Sequence, residues 1–387
     1  MAEARTRSDP FRLYLRHEVA EPMKYYADGS ELDQAGTAPC VALPERRQGG
    51  NVRVISKIST ASLCLFIAAA PRLSEAHHSS ARFMQDDVTT IDGTVIEFEW
   101  KMPHVYLTVR DRQGREWLIE TDGPPILARS GWTRDSFAAG DSVSAKVHPS
   151  RTPEDRHALL VLIRAADGRR LDSLNRAGRE NEVVSASTST FEGIWTSDRA
   201  QTFSFMQAWQ DHPLTEKGRQ ALAEYDPSLA ESAECMPWPT PFLMASNYWY
   251  LNELILSEEK LVIRSEFYGA QRTIWLDGRQ HPEDGPRTVQ GHSVGRWEND
   301  SLVVDTTLFT ENRSPVAQIG IPSGIQKHVT ERLTLSEDGS KMFIDVVMED
   351  PEFLAEPLSA RFTWTYAPDY EMIDTPCDLE SAKRFLE

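Results

Sequence analysis

Gly291-His292-Ser293-Val294-Gly295-Arg296-Trp297 and Ser301-Leu302-Val303-Val304-Asp305-Thr306-Thr307 flank the polar triplet Glu298-Asn299-Asp300. The two flanks alternate and carry β-branched residues, and the triplet is made of turn formers, so the stretch reads as a β-hairpin. The pairing puts His292 and Asp305 on adjacent strands, where they could face each other. Working outward, residues 261–267 and 271–276 read as strands before the hairpin. Residues 329–335, 342–348 and 360–366 read as strands after it, and Phe191-Glu192-Gly193-Ile194-Trp195 opens one further back. Seven or eight consecutive strands with short turns predict an antiparallel up-and-down barrel or strongly curved sheet, a lipocalin-like cup. One helix is expected, over residues 213–225, where Leu214, Ala221, Leu222 and Tyr225 fall at roughly helical spacing and Asp226-Pro227 stops it. Cys235-Met236-Pro237-Trp238-Pro239-Thr240-Pro241 fits neither a helix nor a central strand and predicts an extended loop.

A second, smaller β unit precedes this one, over residues 77–171. Residues 93–100 alternate, with Ile96, Phe98 and Trp100 on one face, and residues 105–109 and 116–120 follow around the turn Asp111-Arg112-Gln113-Gly114. Pro124-Pro125 suits the first turn of a short helix, which Gly131 ends. Residues 142–147 and 159–163 supply two more strands before the Asp167-Gly168 turn. Three strands, a short helix and two strands is the order of a five-stranded OB-type barrel. Residues 172–190, charged and then rich in Ser and Thr, read as a solvated linker between the two units.

Toward the start of the chain, Lys57 leads the apolar run 58–70, and Ser74-Glu75-Ala76 places small residues where a signal peptidase reads. The run has the length of a secretory h-region and is short of the ~20 residues that span a bilayer. The expectation is a signal peptide over 52–76, cleaved to leave His77 first, and a protein working in the periplasm. Residues 1–51 have no sustained apolar period and read as an extension ahead of a true start at Val52 or Val54. The alternative is a disordered extension preceding an internal apolar helix.

Lys and Arg total 41 against 59 Asp and Glu, a net charge of −18. That balance argues against nucleic acid or an anionic membrane surface as a partner and tolerates cationic ligands. Of the four cysteines, Cys40 and Cys64 leave with the leader. In an oxidising compartment the remaining pair predicts a disulfide, Cys235–Cys377, the alternative being two buried thiols.

Polar residues gather between Asp277 and Asp305. His281 and His292, with Asp305, have the makings of a general acid–base pair, a histidine held by a carboxylate. Asp277, Glu283 and Asp284 lie nearby, and Arg272 or Arg296 could bind an anionic group or steady an oxyanion. Ordinary turn and strand-end roles are the competing account of these residues. Ser293 is not in a nucleophile elbow, and the chain has no Walker loop, dinucleotide fingerprint, His-Glu-x-x-His or Cys-x-x-Cys. Near the expected mature start, the α-amine and imidazole of His77 with His104 as a third nitrogen would suit copper(II), with His78 and His148 as runners-up. A frayed, solvated start is the plain alternative.

Two resemblances extend these readings. His77-His78-Ser79, Gly93-Thr94-Val95, Trp100-Lys101-Met102-Pro103-His104, Gly131-Trp132-Thr133-Arg134-Asp135 and Asp167-Gly168-Arg169-Arg170-Leu171 resemble a small exported domain of unknown function of Gram-negative bacteria. That resemblance implies a periplasmic location and a small β-fold, and no activity. Asp277-Gly278-Arg279-Gln280-His281-Pro282, Gly291 to Trp297 and Leu302-Val303-Val304-Asp305-Thr306-Thr307 resemble a second uncharacterised set of exported bacterial proteins. The set tends to carry cysteines where Cys235 and Cys377 stand, and it implies fold and compartment without a reaction. Two functions follow as expectations. One is binding of a small, largely apolar molecule in a cup lined by Trp275, Trp297 and Trp364, with Arg272 on any anionic group. The other is a cofactor-free isomerase, lyase or hydrolase using His292, Asp305 and His281.

Overall fold

The computed structural model describes residues 82–384 apart from 153, 174–185, 198, 227–229, 246–249 and 317–318. The expected extension, the signal peptide, His77, His78 and the middle of the linker lie outside the described residues.

The first unit holds β1 (Thr89–Glu99), β2 (Tyr106–Asp111), β3 (Glu116–Glu120), helix α1 (Pro124–Ala128), β4 (Ser142–Pro149), β5 (His157–Ala165) and β6 (Arg170–Asp172). Neighbours run β3-β2-β1-β4-β5-β6, and a parallel pairing of β3 with β5 closes the first five into a barrel. This is the OB arrangement that the strand order implies. Alternation does the work: Val95, Leu107, Val109, Ile119, Val147 and Leu160 all point into one buried cluster. The short β6 is an addition to the expected five strands. It extends the sheet into the stretch read as linker, where Asp172 and Ser173 are buried and the Asp172 carbonyl accepts from Trp132 Nε1 at 3.1 Å.

The second unit is a closed barrel of nine strands. They are β7 (Gly193–Ser197), β8 (Asn252–Leu256), β9 (Lys260–Ser265), β10 (Gln271–Trp275), β11 (His292–Glu298), β12 (Ser301–Thr307), β13 (His328–Leu335), β14 (Lys341–Glu349) and β15 (Leu358–Tyr366). Each strand pairs with its neighbours in sequence, and β15 closes onto β7. The strand added to the sequence reading is β8, a short one lying against β9. One pairing departs from the expected antiparallel pattern, because β10 and β11 run parallel through Ile274–Ser293 and Trp275–Val294. The reason is parity: an odd number of strands cannot close a ring with every pair antiparallel. The chain must therefore return from the end of β10 to the start of β11, and residues 276–291 make that return.

Between β7 and β8 lie α2 (Arg199–Gln210), α3 (Glu216–Ala223) and the short α4 (Phe242–Ala245). The helix expected over 213–225 is α3, capped by Thr215 Oγ1 accepting from the Gly218 amide. The longer α2 is a further addition to the sequence reading. Phe205 of α2 lies edge-on to Phe362 of β15 at 4.9 Å, and Trp364 Nε1 donates to the Met244 carbonyl of α4 at 3.1 Å. Phe362 and Trp364 are inward residues, alternating with outward Arg361 and Thr363. Helices α2 and α4 thus pack onto the inner face at the place where a lipocalin-like cup would take its ligand, and they share one core cluster with Leu261, Ile274, Val304 and Ile344.

The two barrels belong to one compact unit. Arg129, just past α1, donates from Nη1 at 2.9 Å to both oxygens of Glu266, which also accepts the Leu251 and Ile373 amides. Arg384 in the last helix α5 (Leu379–Lys383 and its cap) chelates Glu99 of β1 at 2.7 and 2.8 Å. The disulfide Cys235–Cys377 closes a span of 142 residues, and Met102 of the first barrel bridges to Cys377 in parallel β fashion. No described helix is long and apolar enough to cross a membrane.

Candidate functional site

The site grows from the return segment between β10 and β11. Asp277 accepts from the Arg279 amide at 3.2 Å and from Arg279 Nε, folding the start of the segment into a tight turn. The Arg279 guanidinium lies 3.7 Å above the Trp275 ring. The segment then carries His281 over the outer face of the barrel. It ends at Gly291, whose φ of +71° puts it in the left-handed region. A β-carbon there would also come within 2.7 Å of the Thr307 carbonyl, so glycine alone fits the entry to β11. Gly295 has a different reason: a β-carbon would meet Leu276, Ile274 and Leu302 where the parallel seam closes. These two contacts account physically for the spacing Gly-His-Ser-x-Gly.

His292 and Asp305 are outward residues of β11 and β12, and Val294 stands opposite Asp305 in register. They are not in direct contact; His281 lies between them. His281 Nδ1 is 2.8 Å from His292 Nδ1, and His281 Nε2 is 2.9 Å from Asp305 Oδ1. The other carboxylate oxygen, Oδ2, is 2.8 Å from His328 Nε2, and His328 Nδ1 is 3.1 Å from Glu349 Oε2. Five side chains from the return segment, β11, β12, β13 and β14 thus form one hydrogen-bonded row.

Electrostatics assign the protons along it. Burial pushes the Asp305 carboxyl up, but hydrogen bonds and charge from His328 and His281 outweigh it and hold Asp305 below the usual carboxylate range. An ionised Asp305 only accepts, so His281 Nε2 and His328 Nε2 carry hydrogens. With His281 neutral, its Nδ1 is a bare acceptor, and His292 must donate from Nδ1. His292 Nε2 is then left with its lone pair, and no described residue bonds to it. Burial pushes His292 below the ordinary histidine value, as do the charge of His281 whenever that ring is protonated and the charge of Arg279. Its ring lines an open groove of about 580 Å³ together with Asp277, Gly278, Arg279, Gln280 and Pro282. A neutral imidazole facing a groove and backed by a second imidazole and a carboxylate is equipped to take a proton. The charge formed at His292 would be passed back toward Asp305.

The other expected site residues lie elsewhere. Arg272 points into the barrel, where Nη1 donates to Glu331 Oε1 at 2.9 Å and Nη2 to Glu331 Oε2. Nη2 also donates to Thr306 Oγ1 at 2.9 Å and Nε to Ser293 Oγ at 3.1 Å. It is sealed from solvent and offers nothing to a ligand; it ties β10, β11, β12 and β13 together from inside. Trp364 sits in the core. Trp275 is on the outer face under Arg279, and Trp297 is 48% exposed at a strand end, packed on Phe191. The three tryptophans therefore line no common cup. Arg296 pairs with Glu298 on the surface. His104 Nδ1 donates to the Thr121 carbonyl at 3.1 Å and His148 Nδ1 to the Asp87 carbonyl at 2.9 Å. Among the described residues no three His, Cys, Asp or Glu side chains are disposed to hold a metal ion, and the copper expectation depends on His77, outside them.

His328, Glu349 and Glu331 are absent from the sequence reading. Glu331 carries a signal, a carboxylate in the apolar phase of a strand with Val329 and Leu333. His328 and Glu349 carry none, because only the register of β12, β13 and β14 brings them to Asp305.

Residues 65–159 match a family of unknown function, DUF6152. No curated protein matches the chain. Among solved structures, a point mutant of the fluorescent protein UnaG is 13% identical, covering 46% of this chain and 96% of that one at a TM-score of 0.23. Wild-type UnaG is 12% identical, covering 46% and 97%, at 0.22. At those scores the likeness carries no argument about function. The first barrel thus holds most of a stretch similar to an uncharacterised family, and the row of histidines lies beyond that stretch.

Proposed function

We propose that the outer groove is a general acid–base site in which His292 Nε2 takes a proton from a small polar substrate. The observation that carries this reading is the His292–His281–Asp305 row, with His292 at its end lining the groove. His281 orients His292 and accepts its Nδ1 hydrogen, Asp305 steadies the positive charge, and Arg279 lies beside the groove to meet an anionic part of the substrate. The reaction class is an isomerisation, elimination or hydrolysis that begins with proton abstraction. The binding alternative, an apolar ligand inside the barrel, is less well supported, since α2 and α4 pack onto the inner face and the three tryptophans are apart. We further propose that the protein is exported and works in the periplasm. The Cys235–Cys377 disulfide supports that compartment, as do the signal-like stretch 52–76 and the resemblance of the second unit to exported proteins.

An activated ester tests for the bare ring nitrogen of His292, which can act on it as nucleophile or base. Hydrolysis of p-nitrophenyl acetate by the whole protein should exceed that by free imidazole about tenfold or more and fall to background in His292→Gln. An equal rate in the variant would remove His292 as the reacting group.

A further inference from the structure

Asp305 is shared. Its two oxygens are 2.9 Å from His281 and 2.8 Å from His328, so the two imidazoles compete for one negative charge on nearly equal terms. His328 has a second carboxylate, Glu349, directly opposite in register on β14 and 3.1 Å from Nδ1. When protonated, His328 donates to both carboxylates; when neutral, it has one hydrogen for the two. Its charge state therefore decides how much of the Asp305 charge is left for His281.

Resting on the acid–base reading above, we propose that His328, seated between Asp305 and Glu349, is a positioning residue that tunes the basicity of His292 from outside the groove. With His328 charged, Asp305 is compensated on one side, His281 is held less strongly, and a proton on His292 is stabilised less. With His328 neutral, the full carboxylate charge acts through His281, and His292 becomes the stronger base. The groove thus responds to pH in two steps, one belonging to His292 and one to His328. What passes along the row is charge rather than a proton, because an Asp305 held ionised gives a proton no resting place between the two rings.

The charged groups around His328 are few. Asp305 faces it from β12 and Glu349 from β14, and His281 reaches it only through Asp305. Lys327, next in sequence, is turned inward over the Phe309 ring at 4.1 Å. Arg279 acts on the other end of the row, beside His292. The hydrogen bond and charge of Asp305, then those of Glu349, hold His328 above the ordinary histidine value against the effect of burial. The His328 step therefore falls at higher pH than the His292 step.

The test is a histidine-resolved ¹H–¹⁵N NMR titration of the full chain. In the native protein, His292 should show its own inflection and a smaller one at the pH where His328 titrates. In His328→Gln the second inflection should vanish and the His292 midpoint should rise by about half a unit, a threefold change in its acid constant. In Glu349→Gln, a surface change that leaves the strands intact, the His328 midpoint and the second His292 inflection should fall together. A His292 curve with one inflection, unmoved by either variant, would overturn the proposal. The reading on which it rests fails separately. If His281→Gln leaves the His292 midpoint and tautomer unchanged, the His292–His281 bond is absent whatever happens at His328.

Discussion

The Nδ1 atoms of His281 and His292 face each other at 2.8 Å, a distance that requires one hydrogen between them. Since His281 already donates from Nε2 to Asp305, the hydrogen on the shared edge comes from His292 whenever His281 is neutral. His281→Phe keeps a ring of similar size and removes both nitrogens. It should lower the p-nitrophenyl acetate rate by about 10- to 100-fold by releasing His292 from its tautomer, with a smaller effect on overall stability. A variant with the native rate would show that His292 needs no partner.

The pH dependence of that rate has a definite sign. His292 lies below the ordinary histidine value, so its base form is already present in mildly acidic solution. The rate should rise through a main midpoint below about 6.5, with a smaller further rise at the higher pH where His328 loses its proton. A main midpoint at or above that value would mean that the ring is not held as described.

Stability carries the opposite signature at the far end of the row. His328 is raised in the folded state, so its contribution is complete below the ordinary histidine value and is lost as pH rises through its folded value. Asp305 is lowered, so its contribution is lost as pH falls through its own folded value. Chemical denaturation of the native protein and His328→Gln should differ most between about pH 4 and 6.5, by about 1 kcal/mol or less for partly exposed groups. The two curves should converge once the pH has risen past the folded-state value of His328.

Inside the second barrel, Arg272 and Glu331 are both fully buried. Arg272→Met alone leaves a buried carboxylate unpaired and should cost about 3–5 kcal/mol in urea denaturation. Adding Glu331→Met should recover most of the loss. If the double variant is as unstable as the single, the ion pair itself, and not the stranded charge, carries the stability of the seam.

Lys327 is buried to 1% exposure with Ser323 Oγ 3.2 Å from its Nζ. Burial, only partly offset by the charge of Asp350, pushes it down to about 7. The folded protein therefore opposes its charging. The penalty is full below pH 7 and fades as pH climbs toward the ordinary lysine value. Lys327→Met should raise stability on the order of 2 kcal/mol at about pH 7, with the gain shrinking toward about pH 10. A destabilised variant would assign Lys327 a structural role through its contacts with Ser323 and Phe309.

Much of the fold was legible because alternation is a local signal. Leu107 and Val109 mark their strand in the first barrel, and Leu302 and Val304 theirs in the second, whereas in β1 the face read as Ile96, Phe98 and Trp100 is broken by a register shift between Val95 and Glu97 that leaves Val95 fully buried. The pair Cys235–Cys377 followed from cysteine count and the expectation of an oxidising compartment. What local pattern could not show was closure. The parallel seam at Ile274–Ser293 is a property of the whole ring, and so is the return segment that carries His281 to the outside. The same limit governed the site. His281, His292 and Asp305 could be gathered from a short span of sequence, but not the order in which they bond. Arg272 has the look of an anion binder until Glu331, far along the chain, is found beside it. The tryptophans misled because an aromatic in a strand does not reveal whether it faces a cavity, a packed core or solvent.

The central claim is that His292, at the groove, keeps a bare Nε2 because His281 accepts its Nδ1 hydrogen. Long-range ¹H–¹⁵N correlation of the imidazoles at neutral pH tests it most directly. The account predicts His292 neutral, protonated at Nδ1, with a non-protonated Nε2. A His292 carrying its hydrogen on Nε2, or a charged His292 at that pH, would contradict it.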